Sequence, residues 1–189
     1  MKIYPFLLSL YLGAAFLLPA AAQDTNSKTA AIKPADSPSK VLLDSWNDIG
    51  RKLTAMAEDF PEDKFDFKPN PAQRSFIEQL LHAAGANYYF INPAEGKKPP
   101  EGDPKRDQFK NREDLVAFVK KSFADGAALI KSKGDKGLSD TFVDPFAHQY
   151  VRVGDYAWGF IEHSGEHYGQ LVVYYRVAGL VPAESRPKK

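Results

Sequence analysis

The sequence contains no cysteine, so no disulfide braces the fold and no thiolate is available as a nucleophile or metal ligand. It also lacks an excess of either charge, with 25 Lys and Arg against 24 Asp and Glu. A nearly neutral chain has no electrostatic footprint for nucleic acid or an anionic membrane. Strand-like alternation and internal repeats are missing too. With disulfides excluded, stability has to come from an apolar core, and an aromatic content of 13% suits one.

One apolar run stands out, from Ile3 to Leu18, behind Lys2 and ahead of Ala20, Ala21 and Ala22. That order predicts a secretory signal peptide over residues 1–22, cut before Gln23. The run is shorter than the roughly 20 residues that cross a bilayer, so no stable membrane anchor is expected. Loss of Lys2 leaves the mature chain formally neutral, and its predicted location is the periplasm or the outside of the cell. Residues 23–39, polar and without a period, read as a flexible leader.

From there the pattern is helical. Leu42, Trp46, Ile49, Leu53, Met56 and Phe60 recur at three and four residues until Pro61, which predicts a first helix from about Val41. Ser75 and Glu78 form a capping box ahead of Phe76, Ile77, Leu80, Leu81, Ala84 and Tyr88, a second helix ending near Ile91. Asn92 to Gln108 carries four prolines and reads as a surface connection. Asn111 caps a third helix whose buried stripe is Leu115, Val119, Phe123, Ala127 and Ile130. A long loop is expected from Lys131 to about Val153, and a fourth helix from near Asp155 to Ala178, closed by Gly179 and Pro182. The fold class this implies is all-α, a four-helix bundle over residues 40–187.

The four histidines are His82, His148, His163 and His167. His163 and His167 lie one turn apart on the fourth helix, so both imidazoles point the same way, on the side of Phe160, Leu171, Tyr174 and Ala178. Two imidazoles buried there without partners cost roughly 1 to 3 kcal/mol each, which a shared cation offsets. Hydrogen-bonded core histidines are the competing explanation of the pair. A third ligand is needed. His82 is the other helical histidine, but it lies off the main stripe of its helix, toward Gly85 and Tyr89, and the helical wheel alone does not select it. His148, beside Pro145 and Phe146, reads as a surface loop residue. His163-Ser-Gly-Glu-His167 also fits the inverted zinc-peptidase signature with Glu166 as base, yet only Glu184 remains downstream as an acidic ligand, which disfavours that reading.

The run from Glu162 to Arg176, with Glu166-His167-Tyr168-Gly169-Gln170 at its centre and Gly179, Pro182 and Ser185-Arg186 after it, resembles the C-terminal signature of the DinB-like metalloproteins. Phe65 to Pro69, Arg74-Ser75-Phe76 and Leu81 to Asn87 are similar to that family's stretch around its second helix. The resemblance spans roughly residues 40–187. It implies an up-down-down-up bundle holding one divalent ion on His82, His163 and His167. Some relatives are thiol transferases acting with bacillithiol or mycothiol. Those thiols are cytoplasmic, whereas this chain begins like an exported one.

Three imidazoles leave coordination positions open, as catalytic rather than structural sites do. Imidazole donors suit zinc or nickel first, with copper and ferrous iron behind. The expected function is a metal-dependent transferase or hydrolase acting on a small molecule; the alternative is a non-catalytic metal- or ligand-binding bundle. A small-molecule substrate or ligand is the expected partner, with a homodimer as the candidate assembly.

Overall fold

The computed structural model describes residues 34–187, so the signal peptide expected over residues 1–22 and the leader up to residue 33 lie outside the described residues. Four long helices follow: α1 (Pro38–Asp59), α2 (Phe76–Ala94), α3 (Arg112–Gly137) and α4 (Val153–Val177). Between α3 and α4 sits a short antiparallel hairpin of β1 (Thr141–Val143) and β2 (Tyr150–Arg152).

Each helix starts where local chemistry offers its free N–H groups an acceptor. Ser37 caps α1, with Pro38 in its first turn, a few residues ahead of the expected start at Val41. Ser75 and Glu78 close the expected capping box of α2, and Asn111 accepts from the backbone of Asp114 at the head of α3. At its far end α4 turns into Gly179, whose φ of 76° is the left-handed conformation that glycine adopts without a Cβ penalty.

Two neighbouring segments differ from the sequence reading. α3 continues past Ile130 to Gly137 through a kink at Gly134, where φ is 55°, and Asp135 accepts a 2.8 Å bond from the backbone N–H of Ser39 at the start of α1. The segment read as a loop then forms the hairpin, in which Thr141 pairs with Arg152 and Val143 with Tyr150. Strands of three residues are too short to show an alternation.

α1 packs on α3 and α4, and α2 packs on the same two helices. Cross-contacts set the directions. Ser39 meets Asp135 while Lys120 meets Glu58, so α1 and α3 are antiparallel. Tyr175 near the end of α4 reaches Met56 near the end of α1, whereas Gly154 at the start of α4 bonds Leu138 just beyond α3, so α4 runs with α1. Arg74 just before α2 meets Tyr174 near the end of α4 while Phe90 near the end of α2 packs on Phe160 nearer its start, so α2 is antiparallel to α4 and parallel to α3. The bundle is up-down-down-up. Parallel α2 and α3 need a long return, which residues 95–111 supply.

The core joins Leu42, Trp46, Leu53, Phe60, Phe76, Leu80, Phe90, Leu115 and Tyr175, all fully buried. α2 is apolar on two sides because it faces two helices, and its second side is the one that carries His82. Among the described residues, no helix is long and apolar enough to cross a membrane.

Candidate metal centre

His82 on α2 and the pair His163 and His167 on α4 converge between the two helices. One ring nitrogen from each lies within 4.8 Å of the others. The one-turn spacing on α4 brings the Nε2 atoms of His163 and His167 to 3.0 Å, and the His82 ring stands edge-on to His167 with centroids 4.7 Å apart. His167 is buried, while His82 and His163 are partly open.

Two of the three rings are oriented by partners on their far nitrogens. Nδ1 of His82 lies 2.8 Å from the Asp103 carboxylate, which accepts its N–H and directs Nε2 toward the other rings. Nδ1 of His167 is 3.1 Å from Oε1 of Gln170, one turn further along α4. Gln79, buried on α2, brings its carboxamide against both His167 and Gln170. Such outer partners fix the tautomer and so decide which nitrogen faces the centre. His163 differs, since its Nδ1 is buried without a hydrogen-bond partner and the ring is held by Phe160, with centroids 5.9 Å apart, and by the contact with His167.

The electrostatics favour neutral rings. Burial, followed by the neighbouring His167 and His82, lowers the pKa of His163 from 6.5 to about 4, and burial lowers that of His167 as well. Neutral imidazole is the form that donates a lone pair to a metal. Two Nε2 lone pairs 3.0 Å apart repel unless a proton or a cation lies between them. A first-row ion with N ligands at about 2.0 to 2.1 Å sets ligand nitrogens roughly 3 to 3.4 Å apart, which the His163–His167 pair matches, with the His82 nitrogen within 4.8 Å of both.

Beside the cluster is a cavity of about 250 Å³, lined by His82, Asp103 and His163 together with Ala86, Tyr89, Phe146 and Phe160. A second hollow, lined by Arg74, Gln79, Gln170 and Tyr174 among others, is polar. Tyr174 serves packing, with its ring buried and its hydroxyl donating a 2.6 Å bond to the backbone oxygen of Arg74. His148 and Glu166 are both exposed and outside the cluster. The backbone of His148 is left-handed, with φ 52°, in the hairpin turn. The peptidase arrangement, with Glu166 as base beside the rings, is therefore not formed.

Sequence reasoning passed over three residues of this region. Gln79 had a signal, a polar side chain three residues before His82 in an otherwise apolar helix. Asp103 had none, because it stands in a proline-rich connection that only the fold lays across α2. Phe146 was noted only as a neighbour of His148.

The family model of the DinB superfamily matches residues 46–171, a span that includes all three histidines. Among solved structures the chain is similar to YfiT from Bacillus subtilis, a probable metal-dependent hydrolase with an unusual four-helix bundle topology. The TM-score is 0.60 at 16% sequence identity, covering 79% of this chain and 94% of that one, a likeness in fold. No curated protein matches the sequence.

Proposed function

The chain belongs to the DinB superfamily, and on that premise we propose that it binds one divalent ion, zinc or nickel, on His82, His163 and His167 and hydrolyses a small molecule outside the cytoplasm. The observation that carries the reading is the convergence of three imidazole nitrogens within 4.8 Å at the edge of a small cavity. The similarity to YfiT, itself a probable metal-dependent hydrolase, supports it. Export rests on Lys2, the apolar run and the alanines before Gln23. It favours water over a cytoplasmic thiol as the attacking group.

When bound, such an ion polarises a substrate oxygen and lowers the pKa of coordinated water. The chain's own residues prepare the place. Asp103 holds the His82 N–H and Gln170 that of His167, so each ring presents Nε2 inward. Burial keeps His163 and His167 unprotonated at neutral pH. No cysteine exists in the chain and no fourth His, Asp or Glu joins the group among the described residues, so coordination positions stay open to a small molecule. Asp103, hydrogen-bonded to His82, is the acidic residue among those that line the cavity.

Metal analysis of protein purified without chelator is expected to return about one divalent ion per chain, and the double variant His163→Ala, His167→Ala to return none, because losing ligands weakens binding by orders of magnitude. His148→Ala is expected to keep its metal. Full metal content in the double variant would overturn the centre. Metal-loaded protein that cleaves no small ester or amide would favour the binding-only bundle.

A further inference from the structure

We propose that the cavity beside His82 and His163 is a specificity pocket for an aromatic or branched aliphatic group of the substrate, with Phe146 of the β1–β2 hairpin at its mouth. The inference rests on the metal-centre reading and adds the substrate class to it.

The residues that line the cavity are of two kinds, the polar His82, Asp103 and His163 and the mainly apolar Ala86, Tyr89, Phe146 and Phe160. A ligand lying there has one polar end at the ring nitrogens and an apolar remainder among three aromatic rings. A void of roughly 150 Å³ takes a benzene ring. At about 250 Å³, this one has room for such a ring with the atoms that link it to the reacting group.

Phe146 is 62% exposed, an unusual position for a phenylalanine, yet it is held in place. Asp144, buried at the base of the hairpin turn, accepts 2.7 Å from the Phe146 backbone N–H and 2.8 Å from the Tyr156 hydroxyl on α4. That anchor ties the hairpin to the helix that carries His163, and it sets the Phe146 ring 5.0 Å from Tyr89 on α2. The hairpin thus delivers an apolar side chain to the mouth of the cavity, where a ligand burying its own apolar group also covers Phe146. Ala86 is the small residue of the wall, and its side chain limits how much space remains.

The test titrates zinc-loaded protein with acetohydroxamate and benzohydroxamate by calorimetry, and in parallel follows the Ala86 methyl NMR signal of metal-free protein as phenol is added. Burying the phenyl ring is expected to favour benzohydroxamate on the order of ten- to a hundredfold. Ala86→Leu, which fills the space, should remove most of that preference. Phe146→Ala, at an exposed hairpin tip with little bearing on folding, should shrink it several-fold. Phenol should shift the Ala86 methyl. Equal affinities for the two hydroxamates, a preference that both variants leave intact, or an Ala86 signal unmoved by phenol would overturn the pocket. A phenol response in protein that binds neither hydroxamate supports the pocket and overturns the metal centre instead.

Discussion

The α1–α3 contact and the α2–α4 contact are built from helices of similar length, but they spend their buried surface differently. Between α1 and α3 the residues are apolar and close. Gly126 lets the Trp46 ring lie where a Cβ would come within 2.0 Å of it, and Gly50 makes room in the same way for Phe123. The Trp46 indole N–H donates 2.8 Å to the Phe123 carbonyl, so even this half's large polar handle is satisfied. Between α2 and α4 lie three imidazoles, one of them with a buried Nδ1 that has no partner, together with a buried glutamine and a cavity. Unsatisfied polar atoms and empty volume both cost stability, so the second contact is the costlier one and the first contributes more to holding the fold.

Gly126→Ala breaks the comparison on its stable side and has the largest expected effect. The added methyl would overlap a buried indole that cannot move without disturbing Phe90 and Phe123, at ring distances of 5.8 and 5.7 Å. Denaturant unfolding is expected to show a loss of about 2 to 3 kcal/mol. If the two halves are separate in purpose, metal content of the folded variant is unchanged.

Asp103→Asn probes the other half. The side chain keeps its size and an acceptor for the His82 N–H, but loses the charge that makes Nε2 a better donor. Metal affinity is expected to fall about 10- to 100-fold with little change in stability. A competition titration against a chelator measures this, and unchanged affinity would make the 2.8 Å contact incidental.

The smallest effect is in the pH dependence of the metal-free protein. His163 has a folded pKa of about 4 against 6.5, and that of His167 is also lowered. Above about 6.5 neither state binds a proton at these rings and their contribution to stability is full. As the pH falls below it, the unfolded chain takes up protons that the folded chain resists, so stability declines until His163 itself titrates near 4. Both rings meet some solvent, which moderates the size. Thermal melts between pH 7 and 4 should therefore slope more steeply for the wild type than for His163→Ala, His167→Ala, and identical slopes would mean that burial does not hold the rings neutral.

How much of this was legible beforehand follows from the range of each interaction. The helix period, the Ser75 and Asn111 caps and the one-turn spacing of His163 and His167 are local, and each reappears in the structure where its residues placed it. The hairpin was not legible because Thr141–Val143 and Tyr150–Arg152 are too short to show a period. The last turns of α3 were hidden by Gly134 and Gly137, which read as loop until Asp135 meets Ser39 at the start of the neighbouring α1.

What the sequence by itself determined is therefore the list of parts: four amphipathic segments, their starts and stops, a cysteine-free donor inventory and two histidines on one face. The tertiary structure alone decided which of the two apolar sides of α2 meets α4, and so whether His82 joins that pair. It also brought Asp103 from a proline-rich connection to the His82 ring and Phe146 from a turn to the cavity. Those placements come from side chains 21 or more residues apart packing against each other, and no pattern along a chain encodes a contact between segments whose relation is set only when their apolar faces close.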